Sequence, residues 1–231
     1  MTIELIPIRG IPEIRPGVDV AELILEAMRD SGISLADGDV VVVTHKIVSK
    51  AEGRVVEVVD EEAYRVLVAT EAAAVIRRRG DLVITKTIHG FICANAGVDR
   101  SNTENGTAIL LPVDPDRSAH RLRTRFEAAT GAALAVVVTD TFGRPWRRGL
   151  VDVAIGVSGL PAILDLRGTP DALGRIMDVT EIAIVDEIAA AADLVMGKAD
   201  GIPAAVVRGL GLVGEGQATD LVRPADEDLF R

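Results

Sequence analysis

The residues best equipped for chemistry lie in the run Val136-Val-Val-Thr-Asp140-Thr141-Phe-Gly143-Arg144-Pro-Trp-Arg147-Arg148-Gly149. A β-branched apolar stretch that ends in Asp140 and Thr141 delivers a carboxylate and a hydroxyl to a sheet edge. Both are hard oxygen donors of the kind Mg²⁺ or Mn²⁺ takes. Arg144, Arg147 and Arg148 follow, between two glycines that free the backbone to bend around an anion. Cations placed against developing negative charge are the usual apparatus of phosphoryl transfer. A capped turn with surface arginines is the plainer alternative.

Two further clusters could share that chemistry. Cys93-Ala-Asn95-Ala-Gly97-Val-Asp99-Arg-Ser-Asn102-Thr is polar and turn-rich. It reads either as a series of Asx turns or as the source of a second carboxylate, Asp99, for a metal shared with Asp140. Thr44-His45-Lys46-Ile-Val-Ser-Lys50 comes directly after the run Val40-Val-Val-Val43. The chain has four lysines, Lys46, Lys50, Lys86 and Lys198, and two of them sit at this strand's C-terminal end. Ligands gather at such ends, and an ammonium is a compact charge for a phosphate; a solvated lysine pair is the alternative. His45, His89 and His120 lack metal-ligand spacing. Gly209-Leu-Gly211-Leu-Val-Gly214 matches GxGxxG, but 17 residues after Gly214 leave no room for the helix, second strand and acid of a dinucleotide fold. No P-loop motif occurs.

The elements that must position these residues are legible in part. Residues 3–8 read as a short strand and residues 9–17 as a Gly/Pro-broken loop. Asp19 stands at an N-cap position before an amphipathic helix carrying Val20, Leu23, Ile24, Ala27 and Met28. Residues 40–43, 82–85 and 134–139 read as buried strands, and Val206 and Val207 as a last short one. Residues 61–79, 116–130 and 178–196 read as helices, the first two with arginine clusters on solvated faces. Strands and helices alternate without a regular βαβ cadence, so the expected class is α+β, with mixed sheets and flanking helices.

Composition limits the partners. With 25 basic and 35 acidic residues the 231-residue chain carries a formal charge of -10, which argues against general phosphate-backbone binding and against a peripheral membrane anchor. Six aromatic residues are too few for single-strand stacking platforms. The lone Cys93 excludes an internal disulfide framework and a cysteine-rich zinc site. The N-terminal stretch does not resemble a signal peptide, so the expected location is cytoplasmic.

Taken together, the segments resemble the coenzyme F-420-0: L-glutamate ligase family, the γ-glutamyl ligases of deazaflavin coenzyme synthesis. The stretches that carry the resemblance are Ile6-Pro-Ile-Arg-Gly-Ile-Pro, Ser49-Lys-Ala-Glu-Gly-Arg54, Asn95-Ala-Gly-Val-Asp99 with Ser101-Asn102, Thr139-Asp-Thr141 with Gly143-Arg144 and Arg147-Arg-Gly149, Asp186-Glu-Ile-Ala-Ala190, Met196-Gly197 and Asp200-Gly-Ile-Pro-Ala204. The resemblance implies one ligase unit over residues 1–231, with two subdomains and no flavin domain, in an intertwined homodimer. It implies GTP as co-substrate, Mg²⁺ or Mn²⁺ as cofactor with K⁺ as a further candidate, and F-420-0 and L-glutamate as substrates. GTP would phosphorylate the terminal carboxylate of the coenzyme, and the glutamate amine would displace the phosphate.

By the same resemblance the nucleotide contacts would be Ile11, Pro12, Glu13, Ile14, His45, Lys46, Lys50 and Asn102, together with the loop Met196, Gly197, Lys198, Ala199, Asp200, Gly201 and Ile202. The implied metal ligands are Asp99, Asp140 and Thr141. Lys50, Arg144 and Arg147 are the expected charge stabilisers of the transfer step, the two arginines on the chemistry of their run. One departure stands out: Lys198 occupies a position where relatives carry an acidic or amide metal ligand, and an ammonium cannot ligate. It also gives the runner-up reading its footing, a nucleotide- or phosphate-binding module that has lost the ligase activity. The ending, residues 223–231, is similar to the junction through which some relatives continue into a flavin domain.

Overall fold

The computed structural model describes residues 2–229; the junction-like ending runs past them at its last two positions. The chain forms β1 (Glu4–Ile8), α1 (Val20–Asp30), β2 (Val40–Thr44), α2 (His45–Ala51), β3 (Val55–Glu57), α3 (Glu61–Glu71), β4 (Ala72–Arg79), β5 (Leu82–Thr87), β6 (Ile92–Ala94) and β7 (Thr107–Ile109). Then come α4 (Pro115–Thr130), β8 (Ala135–Arg144), β9 (Arg147–Ser158), β10 (Leu164–Asp165), β11 (Glu181–Ile182), α5 (Ile184–Met196) and β12 (Ala204–Arg208). The fold is α+β with several sheets, as expected.

The main sheet has the order β1-β12-β2-β8-β9; β2 and β8 run parallel and the other pairs are antiparallel. Its middle is made by the two valine runs, Val40 facing Ala135 through Thr44 facing Thr139. Consecutive residues of β2, β8 and β12 are buried, which a strand achieves only when both its faces are covered. Helices α1, α4 and α5 supply the cover, and their apolar residues join the strands in one core that includes Phe126, Ile155 and Ile188. A smaller core gathers Val58, Val68, Val98 and Leu110 beneath α3. Around it lie the three-stranded sheet β4-β5-β6 and the ribbon β3-β7.

Helix α1 starts where the sequence places it. The Asp19 carboxylate accepts from the Glu22 N–H at 3.2 Å, filling one of the donors that a helix N-terminus leaves open. Three other expectations are corrected. The helix read over residues 61–79 stops at Glu71, and Ala72–Arg79 is a strand paired with β5 through two register shifts. Alanine's helical preference is a few tenths of a kcal/mol per residue, and a ladder of tertiary hydrogen bonds overrides it. The helix read from residue 178 starts at Ile184, because Glu181–Ile182 pair with Leu164–Asp165 first. The arginines of α4 are not a free solvated face. Arg121 pairs with Glu52, Arg125 with Asp19 at 2.5 Å and Arg123 with Glu215 at 3.5 Å, tying α4 to its surroundings.

The GxGxxG run is irregular chain with no helix after it until a short turn at Ala218–Leu221. Its first glycine has a packing reason: a Cβ on Gly209 would stand 2.2 Å from the Thr2 carbonyl oxygen, beside the start of β1.

Candidate active site

Strands β2 and β8 are parallel and adjacent, and their pairing stops where Thr44 faces Thr139, so the helix that leaves β2 starts beside the stretch of β8 that runs on past Thr139. After β2 the chain turns directly into α2, a helix too short for its periodicity to stand out in the sequence. Lys46 and Lys50 are four residues apart on it and share one face. Both line a cavity of about 840 Å³, whose walls also include residues 11–16, Asn102, Thr141 and the loop after α5. His45 points the other way. It is fully buried, its Nδ1 lies 3.3 Å from Ser49 Oγ, and its Nε2 lies 3.3 Å from Asp140 Oδ1 without the alignment of a hydrogen bond.

Each cation of α2 has an acidic partner brought from elsewhere. Lys46 Nζ is 2.8 Å from Asp99 Oδ2 and donates to Ser101 Oγ at 2.6 Å; Lys50 donates to Glu13. Asp99 itself is fixed twice: its backbone bridges to Ile109, and its carboxylate accepts from the Ser101 N–H at 2.7 Å, an Asx turn. Burial works against its charge, but the hydrogen bonds from Lys46 and Ser101 outweigh burial and hold the carboxyl below its ordinary value.

In the middle of β8, just past its last pair with β2, Asp140 Oδ1 accepts from the Thr141 N–H at 2.7 Å. The strand then runs on as one arm of a hairpin with β9, turning at Pro145 and Trp146. The segment read as a loop around an anion is therefore a paired ribbon, in which Arg144 donates to the Arg148 carbonyl at 2.8 Å. Arg144, Arg147 and Arg148 stand at its tip, outside the lining of the cavity. Asp99, Asp140, His45 and Asp200 also lie outside that lining, whereas residues 11–14, Lys46, Lys50, Asn102, Thr141, Met196, Gly197, Lys198, Ala199, Gly201 and Ile202 belong to it.

Two acidic residues that sequence reasoning misses join this corner. Asp152, on β9, is opposite Thr141 in the ladder and accepts from the hydroxyls of Thr139, at 3.1 Å, and Thr141. Asp193 comes from the last turns of α5; burial raises its pKa, the Asp152 charge raises it further, and Lys198 opposes both. A lone carboxylate in the apolar run of residues 150–155 is the signal for Asp152. Among the described residues no three acidic, histidine or cysteine side chains converge closely enough to hold a metal by themselves.

Behind Asp140 lies Cys93 of β6. Burial, with the Asp140 charge adding to it, pushes the thiol up to about 12. The folded state keeps the proton that the unfolded chain releases near pH ~8.5, so this group's contribution to stability falls as pH rises beyond that value. A thiol-specific disulfide reagent at pH ~8 should leave Cys93 unmodified in native protein and label it fully in urea. Rapid labelling without urea would contradict this placement.

A family model described as F420-0:Gamma-glutamyl ligase matches residues 9–209. The chain belongs to this family. The resemblance read from the sequence is thereby confirmed. Two relatives, each named coenzyme F420:L-glutamate ligase, come from Methanothermobacter thermautotrophicus and Archaeoglobus fulgidus. Both are 42% identical to the chain and cover 100% of it, with 100% and 97% of their own lengths aligned. A third of the same name, from Methanocaldococcus jannaschii, is 40% identical over 85% of the chain and 86% of its own length. For a γ-glutamyl ligase family member, a cavity that collects lysines beside aspartates at parallel strand ends is the natural candidate site. Among the described residues no helix is long and apolar enough to cross a membrane.

Proposed function

We propose that the chain is a GTP-dependent ligase that joins L-glutamate, through a γ-linked amide, to coenzyme F-420-0. The observation that carries this reading is the single cavity wall on which Lys46, Lys50 and Lys198, from two distant segments, meet Thr141 and Asp152. A carboxylate does not react with an amine until one of its oxygens becomes a leaving group, and phosphorylation by GTP supplies that. The terminal carboxylate attacks the γ-phosphorus and GDP leaves; the glutamate amine then attacks the acyl phosphate, loses a proton, and phosphate leaves. The cavity, at about 840 Å³, has the size range of small-molecule and cofactor sites.

In this reading Lys46 and Lys50 hold phosphate oxygens, and the residue 11–16 segment closes over the nucleotide. Asp140 and Asp99 would hold Mg²⁺ or Mn²⁺, while the hydroxyl of Thr141, the third ligand the resemblance implies, is engaged by Asp152 and Lys198. The donor set suits an ion that takes its remaining ligands from phosphates and water, because Asp140 and Asp99 come from separate segments and no protein cage is built among the described residues. Such an ion would neutralise the charge that converges when two anions react. K⁺ could add to it.

The homodimer belongs to the same proposal. The β8-β9 ribbon projects with Trp146 at 80% and Leu150 at 66% exposure, and Val75, Ile88 and Ile92 of the outer sheet and its neighbouring turn are also exposed. Paired across a two-fold axis, these surfaces would bury each other.

The test is a reaction with F-420-0, L-glutamate, GTP and Mn²⁺, read by mass spectrometry. The product should be heavier by one or more glutamyl residues, and GDP should form only when both acceptor and glutamate are present. Tight GTP binding with neither GDP release nor glutamylated product would instead favour the binding-module reading.

A further inference from the structure

Lys198 differs from the other lysines of the cavity. Lys46 and Lys50 each face a carboxylate, on Asp99 and Glu13. Among the described residues Lys198 has no carboxylate within 4.0 Å, and its ammonium donates to a neutral partner, the Thr141 hydroxyl. That hydroxyl gives its own proton to Asp152, so a lone pair faces Lys198. The same corner holds Asp193, whose charge Lys198 favours and Asp152 opposes. An ammonium with no carboxylate in contact, on the wall of a cavity that Asp152 and Asp193 also line, is placed to draw an anion into a corner that would otherwise repel it.

The backbone aims it there. Gly197, which ends α5, has φ +61° and ψ 173°, a backbone conformation essentially confined to glycine. The loop can therefore fold back tightly over the cavity only with glycine at this position, and that fold carries the Lys198 stem onto β8. A divalent ion needing the Thr141 oxygen would have to displace this ammonium and would meet its repulsion.

Resting on the nucleotide reading above, we propose that the Lys198 ammonium, seated on the Thr141 hydroxyl, is a built-in cation for the terminal phosphates of the bound nucleotide and stands in this chain where a divalent ion on Thr141 would otherwise sit. It supplies one positive charge that neither dissociates nor depends on metal supply. The ion held by Asp140 and Asp99 is then the only divalent one the site uses.

Mn²⁺ titrations of the intact chain with saturating GDP, followed by electron paramagnetic resonance, test this. The natural chain should bind about one Mn²⁺, and Lys198→Glu, which trades the ammonium for a carboxylate beside Asp152 and Asp193, about two. In EDTA, Lys198→Met should weaken GDP binding by about tenfold, and Lys198→Arg should restore most of it. Lys198 is exposed in its loop, so none of these replacements disturbs the core. About two Mn²⁺ in the natural chain with GDP bound, or the same number in Lys198→Glu as in the natural chain, would overturn the proposal and leave the nucleotide reading standing. Absence of GDP binding by every variant and by the natural chain would overturn both.

Discussion

Asp140→Asn should lower ligase turnover by about a thousandfold while leaving the fold intact. The amide oxygen can still accept from the Thr141 N–H at 2.7 Å, so this part of β8 keeps its shape. The loss is of the negative charge there, which the proposed mechanism needs to hold a cation against two reacting anions. The effect on unfolding free energy should stay within about 1 kcal/mol, since no apolar contact is removed. Product formation by mass spectrometry and a urea melt measure the two separately. Activity within about tenfold of the natural chain would remove Asp140 from the chemistry, whatever the melt shows.

Gly156→Val should have the largest effect on stability, at about 3 kcal/mol or more, with little folded protein at physiological temperature. A Cβ on Gly156 would stand 2.3 Å from the Pro115 carbonyl oxygen, in the first turn of α4. Neither backbone is free to yield. The Asp114 side chain caps α4 by accepting from the Arg117 N–H at 2.9 Å. The Asp116 carboxylate accepts from the N–H groups of Val157 and Ala218 at 2.8 and 2.9 Å, stapling the helix to β9. Gly156 also borders the register shift that sets Thr139 opposite Ala154, and with it the pairing of Thr141 with Asp152. Urea unfolding measures the loss; a midpoint near that of the natural chain would show that α4 can shift and that this close approach is not a constraint.

The legible parts share a property: the information lies within a few residues. Val40-Val-Val-Val43 and Val136-Val-Val specify buried strands wherever they fall, and Asp19 caps α1 with an N–H three residues on. Lys46, Lys50, Asp140 and Thr141 are legible as site candidates because each lies just past such a strand or at its end. The illegible parts depend on partners far along the chain. Residues 72–79 look helical alone and are a strand because β5 pairs with them. Residues 147–158 do not announce a strand, and Asp152 stays hidden with them, because their meaning comes from the ladder with β8.

The sequence by itself determined the family, the α+β class, the central valine strands and the charged residues at their ends, since strand propensity, capping and motif order are local. Only the tertiary structure decided which groups those residues face: Lys46 on Asp99, His45 turned inward toward Asp140, the arginines out on a ribbon, and Lys198 on Thr141 from 57 residues away. Side-chain encounters across such separations are set by register and crossover, and a single register step between β8 and β9 would already part Thr141 from Asp152.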